Sequence, residues 1–138
     1  MKKLVLIPLA LIAALLLAVS AFAADKTITV KMSGKQETPK GDPDGKGTAK
    51  VSLLQSKGKV CFKLTWSGIG NPTAAHIHQG KKGVAGPVVI PFIGGAAKHS
   101  GCVKADKKLI GKIIKTPASY YVNIHNAKYP GGALRAQL

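Results

Sequence analysis

Ala49-Lys50-Val51-Ser52-Leu53-Leu54-Gln55-Ser56-Lys57-Gly58-Lys59-Val60-Cys61-Phe62-Lys63-Leu64-Thr65-Trp66 is the stretch whose pattern decides the fold. Ala49, Val51 and Leu53 alternate with Lys50 and Ser52. Beyond the connection Gln55 to Lys59, Val60, Phe62, Leu64 and Trp66 alternate with Cys61, Lys63 and Thr65. A period of two marks a strand with one buried face, so the stretch reads as a β-hairpin with an apolar inner side. The same alternation recurs outward from it. Ile28, Val30 and Met32 alternate with Thr27, Thr29 and Lys31. Further strand candidates are Ala74 to His78, Pro87 to Phe92, Ser100 to Val103, Tyr120 to His125 and Ala133 to Leu138. Lys108 to Ile114 fits a short strand or a single helical turn. About eight short strands with Gly, Pro, Asp and Lys between them predict an all-β, single-domain antiparallel Greek-key sandwich or barrel. The loop from Gly41 to Gly47 has Asp42 and Asp44 at alternate positions. A calcium loop needs more oxygen ligands and a distal bidentate acid, so this one reads as a turn.

The start of the chain is of another kind. Met1-Lys2-Lys3 is followed by an unbroken apolar run of 16 residues, Leu4 to Val19, and then by Ser20-Ala21-Phe22-Ala23. This is the layout of a secretory signal peptide over residues 1–23, which predicts cleavage after Ala23 and a β domain over residues 24–138. The competing reading is an uncleaved anchor, since extension through Ala24 gives about 20 apolar residues, enough for a bilayer span. Without the signal about 115 residues remain, one domain able to bury roughly 65% of its unfolded surface. A multidomain enzyme or a doubly wound cofactor fold does not fit that length. The mean hydropathy of +0.14 is raised by the N-terminal run and is not a membrane signal. Export to a periplasmic or extracellular compartment changes how Cys61 and Cys102 read. They form an even pair in an oxidising setting, without CxxC spacing, so a disulfide is expected, against two buried free thiols as the alternative.

Of 138 residues, 21 are Lys or Arg and 5 are Asp or Glu. Two of the 21 lie in the signal, so the processed chain would carry 19 against 5, a net +14. All but one of the basic residues are Lys, spread over every segment, and the exception is Arg135. Such a balance suits attraction to anionic envelope polymers, lipid headgroups or an acidic partner. It suits nucleic-acid reading poorly, because arginine forks and stacking aromatics are scarce. A solvated basic surface that keeps the protein soluble is the plainer explanation.

His76-Ile77-His78 is the sharpest local feature. Residues i and i+2 of a strand point the same way about 7 Å apart, a spacing that suits two ligands of one metal. In Tyr120 to His125 the inward residues would be Val122 and Ile124, leaving Asn123 and His125 opposite. After the turn at Tyr129-Pro130-Gly131-Gly132, Leu134, Ala136 and Leu138 would be core, and Arg135 and Gln137 would face away. If these strands are neighbours, His76, His78, His125, Asn123, Arg135 and Gln137 form one polar patch. Three neutral imidazoles bind copper or zinc readily, and a nearby Arg would draw an anion to an open position. Metal affinity would then fall as pH drops through about 6.5. The competing reading is the polar outer face that any antiparallel sheet presents. His99, beside Ser100-Gly101, is a spare candidate.

Acid–base or nucleophilic hydrolysis finds little to work with. No carboxylate is paired near a His, and no Ser sits in a nucleophile elbow. Gly80-Lys81-Lys82-Gly83-Val84-Ala85-Gly86 is glycine-rich but lacks the Gly-Lys-Ser/Thr ending of a phosphate loop. No catalytic residue is assigned.

The ordered series Ala75-His76-Ile77-His78-Gln79-Gly80, Gly83, Gly86-Pro87-Val88-Val89, Gly101-Cys102-Val103, Tyr120-Tyr121-Val122-Asn123-Ile124-His125 and Tyr129 to Leu138 resembles the chordin-type (CHRD) domain. Glu37, Pro39 and Asp42-Pro43-Asp44-Gly45-Lys46-Gly47 resemble the N-terminal part of that family. The resemblance runs from about Thr27 to Leu138 and implies a β-rich extracellular module with no generally attributed catalysis, found also as short secreted bacterial proteins. Ala136 departs from the family's usual Gly after the Arg. A fainter similarity is to copper–zinc superoxide dismutases, which place His-x-His, a distant His and a late Arg on a Greek-key scaffold. That analogy implies copper on His76, His78 and His125, with Arg135 guiding an anion. Three expectations follow: a metal- or anion-binding module, a lysine-rich envelope-associated adhesive module, or a copper-dependent oxidoreductase.

Overall fold

The computed structural model describes residues 24–93 and 98–138. The signal segment read over residues 1–23 lies outside the described residues. Eight strands and one helix follow in chain order. They are β1 (Asp25–Ser33), β2 (Lys46–Leu54), β3 (Lys59–Ser67), β4 (Pro72–Gln79), β5 (Val88–Ile93), β6 (Ser100–Lys104), α1 (Lys107–Lys115), β7 (Tyr120–Asn126) and β8 (Leu134–Gln137).

The strands form one sheet in the order β5-β4-β7-β8-β1-β2-β3-β6, antiparallel at every pairing. From β3 the chain crosses to build β4 and β5, returns to lay β6 beside β3, then crosses back to place β7 beside β4. This is the Greek-key crossing that the strand pattern predicts. The two edge strands, β5 and β6, come into contact and nearly close the sheet into a barrel. Phe62 of β3 stacks on Phe92 of β5 across that seam, ring centroids 4.4 Å apart.

Alternation sets what lies inside. Val51 pairs with Phe62 and Leu53 with Val60 across the β2–β3 hairpin. Ala49, Val51, Leu53, Val60 and Leu64 are completely buried, as are Ala75, Ile77, Val122, Ile124 and Leu134 from the other half. Gln55–Lys57 forms a 3-10 turn, closed by Gly58 at φ 59°, a left-handed conformation open to glycine at no steric cost. Asp42 Oδ1 accepts from the Asp44 N–H at 3.1 Å, the self-bonded turn expected of that loop.

Lys108 to Ile114, ambiguous in sequence, belongs to α1. Asp106 decides it by capping the first turn, its Oδ1 accepting from Leu109 N–H at 2.9 Å. Leu109, Ile110, Ile113 and Ile114 then share one helical side, and Ile110 and Ile113 are fully buried in the core. No helix among the described residues is long and apolar enough to cross a membrane.

Cys61 and Cys102 face each other in the β3–β6 register and are joined by a disulfide, Cα atoms 4.0 Å apart. The bond fits an oxidising compartment. It closes a loop of sequence separation 41, for which loss of chain entropy in the unfolded state predicts about 4 kcal/mol at the upper end. Reduction, or the pair Cys61→Ser and Cys102→Ser, should therefore lower the melting temperature while leaving the far-ultraviolet spectrum of the folded state unchanged. Thermal melts with and without reductant measure this, and coincident curves would contradict it.

Candidate metal centre

The β4–β7 register sets Ala74 opposite His125, His76 opposite Asn123 and His78 opposite Tyr121. The β7–β8 register continues it, with Asn123 opposite Arg135 and Tyr121 opposite Gln137. With the even members of β7 and β8 in the core, all six residues of the predicted patch lie on the outer wall of the barrel. His76, His78 and His125 converge there. One ring nitrogen from each lies within 4.8 Å of the others. The ring centroids are 4.9 Å (His76–His125), 5.4 Å (His76–His78) and 6.0 Å (His78–His125) apart. His99 is elsewhere, stacked on Trp66 at 4.0 Å, with Nδ1 3.2 Å from Leu64 O.

Backbone carbonyls fix two of the three tautomers. His78 Nδ1 donates to Gly86 O at 2.8 Å and His125 Nδ1 donates to Pro130 O at 2.8 Å. A carbonyl only accepts, so in each neutral ring the proton sits on Nδ1 and the Nε2 lone pair points into the cluster. His78 Nε2 is buried with no partner at all. His125 Nε2 is 3.1 Å from His76 Nδ1, which donates to it, and 3.0 Å from Asn123 Oδ1. Glu37 lies behind the cluster, its Oε2 accepting from Thr38 N–H at 3.2 Å while its Oε1 is buried without a partner. The Nε2 atoms of His78 and His125 thus both offer lone pairs at the cluster, and the donor beside them is His76 Nδ1, bonded to His125 alone. Such a surplus of inward lone pairs is what a cation satisfies.

Three loops complete the setting. Glu37 follows β1, is 5% exposed, and lies flat against Gly132, where φ is 139° and an added Cβ would strike the carboxyl. Pro130 O comes from the β7–β8 connection. The third loop, 80–86, roofs the wall. An added Cβ on Gly86 would run into Gln79 O, so only glycine brings that carbonyl to His78.

Arg135 and Gln137 differ from the expectation of an open anion or ligand patch. Arg135 is 1% exposed, with its guanidinium 3.4 Å over the Tyr121 ring. Its Nη1 donates to Val84 O and its Nη2 to Lys81 O, both at 2.9 Å. Gln137 Nε2 donates to Gly80 O at 2.7 Å. Both side chains hold the roof, because a buried loop must find partners for its carbonyls. The paired donors of both side chains thus go to the roof and to each other, with Arg135 Nη2 also donating to Gln137 Oε1 at 3.2 Å. Tyr121 joins them: its ring stacks on His78 at 4.8 Å and its hydroxyl accepts from Gly86 N–H at 3.1 Å. Tyr121 shares the odd-numbered face of Asn123, so alternation could have found it. Glu37 was visible only through the family pattern, and the carbonyls of Gly86 and Pro130 have no sequence signal. Ala136 is 1% exposed and points to the core opposite Val122, away from the histidines.

Burial holds the imidazoles neutral. His76 is pushed down to about 4, first by desolvation and then by the neighbouring rings of His125 and His78. His78 and His125 are also lowered, burial again being the largest cause, partly offset by the carbonyls of Gly86 and Pro130. The ordinary titration near 6.5 expected from sequence therefore moves to lower pH. Glu37 is raised, chiefly by burial.

An antiparallel Greek-key barrel that carries a three-imidazole cluster on its outer wall is the class these features define. The chain belongs to the CHRD-domain family, whose model matches residues 28–138. No curated protein and no solved structure matches it.

Lowered histidine pKa values carry a sign for stability. Between 6.5 and about 4 the unfolded chain binds protons that the folded His76 refuses, so stability rises with pH across that window and is lost on acidification. The metal-free protein should melt at progressively lower temperature as pH falls from 6.5 towards 4, and His76→Gln should flatten the profile. Raised Glu37 acts with the opposite sign above 4.5, so the comparison is between the two proteins, and coincident parent and His76→Gln profiles would contradict the burial argument.

Proposed function

We propose that this chain is an extracytoplasmic metal-binding module that acts by binding rather than catalysis, holding one copper or zinc ion through His76, His78 and His125. The observation that carries the reading is the buried, unpartnered Nε2 of His78, aimed at the other two rings. An orphaned buried acceptor costs about 1–3 kcal/mol, and a cation would relieve that cost. The donor chemistry agrees: neutral imidazoles suit copper and zinc, while calcium and magnesium ask for oxygen. Outer-nitrogen bonds to backbone carbonyls are the usual support of metal-ligating histidines. His76 and His125 are half-buried, so solvent reaches the cluster. The disulfide and the signal-like N-terminus support a place outside the cytoplasm. The copper-oxidoreductase reading has less behind it, because the guanidinium that would steer an anion is turned to Val84 and Lys81.

Calorimetric titration of metal-stripped protein with copper(II) and with zinc(II) tests the proposal. One equivalent should bind. His78→Ala should weaken binding by more than the about 10–100-fold that loss of an outer partner brings. Asn123→Ala should weaken it less. Stoichiometric binding that survives His78→Ala unchanged would remove the three-histidine centre.

A further inference from the structure

The outer faces of β2, β3 and β6 carry a feature that the histidine centre does not use. Lys50 stands directly opposite Lys63, and Lys59 directly opposite Lys104. Like charges opposed across strands are destabilising, yet here two such pairs sit about 13 Å apart along β3 (four residues at about 3.3 Å each). The Cys61–Cys102 disulfide lies between them and holds β6 in register. Each pair borders a shallow, open depression. Lys50 and Lys63, with Ser52, line one of about 230 Å³. Lys59 and Lys104 line another of about 510 Å³, joined by Lys57 and Lys107 from the adjoining loop and helix start. Asp106, which caps α1 through Leu109 N–H, lines the second of these with four lysines, so the balance there stays positive. Asp25 accepts from Ser56.

We infer that this stripe is a docking surface for a linear acidic polysaccharide lying along β3. Charge complementarity calls for a polyanion, and the row of shallow depressions along β3 for a linear one that lies on the surface. Lysine ammoniums are point charges without the planar fork of arginine, so they suit repeated carboxylates in variable orientation. On the same outer face Thr48 and Thr65 bond each other through their hydroxyls at 2.7 Å, and Ser52 bonds Thr27 at 3.0 Å, which leaves remaining lone pairs for a hydroxylated backbone. A bilayer is less favoured, because the exposed large apolar residues, Val84 and Val88, lie on the roof loop and β5 and not on this wall. Nucleic acid would call for arginine and stacking aromatics, which the stripe lacks.

The test is the affinity of the protein for polygalacturonate at low and at moderate salt. Lys59→Glu with Lys63→Glu should weaken binding by about tenfold or more and reduce its salt dependence. Lys112→Glu with Lys115→Glu, on the exposed last turn of α1, changes net charge equally away from the stripe and should weaken it by no more than about threefold. Lys50→Gln with Lys104→Gln removes one member of each opposed pair, so it should weaken binding without lowering the melting temperature. Equal losses from the stripe and control reversals would overturn the inference, since generic attraction would then suffice. So would stripe reversals that abolish binding to phosphatidylglycerol vesicles but spare the polymer. None of these variants touches a histidine, so copper or zinc binding should persist in all of them.

Discussion

A slip of one residue between β4 and β7 would turn His76 and His78 into the barrel and put Ile77 in solvent, so the site exists only because that register is fixed. The period of two makes the choice absolute, since a strand offers one face or the other and nothing between. Ile77 opposite Val122 and Ala75 opposite Ile124 hold it, all four completely buried. The greasy half of each strand thus aims the polar half. Placement of the histidines is a consequence of core packing, and no local signal near the imidazoles was needed to bring His125 to a hairpin it follows by some fifty residues.

The second layer of support is polar and runs through backbone atoms. Arg135 over Tyr121 ties the roof loop to β7 and β8, and the same roof supplies the carbonyl that orients His78. Burying a guanidinium is costly unless its donors are matched, and the carbonyls of Val84 and Lys81 match two of its nitrogens. On the opposite flank Glu37 is buried against Gly132. His78 and His125 therefore each lean on a backbone carbonyl, and His76 leans on His125.

The sequence made the barrel readable because apolar and polar residues alternate in nearly every strand, and alternation survives any rearrangement of loops. Ala49 to Trp66 and Tyr120 to His125 needed no more than that. It also placed six patch residues on one wall, because parity follows from the same rule. What it could not carry was the direction of a carbonyl. Gly86 and Pro130 act through backbone oxygen, whose aim depends on loops with no periodicity. The burial of Arg135 had no signal for a related reason, since the loop that covers it has no periodicity. The helix at Lys107–Lys115 was ambiguous because Asp106, the cap that settles it, lay just outside the apolar segment.

The seam between β5 and β6 has a consequence for the molecule among its copies. An incompletely closed barrel keeps two strand rims, and a rim with free amide groups invites a foreign strand to zip onto it. Pro91, near the middle of β5, has no N–H to offer such a visitor. On the opposite rim Lys104 sets a positive charge beside the exposed strand, and the sulfur bridge ties β6 to β3. Both rims of the unfinished wall thus carry a feature that discourages a foreign strand.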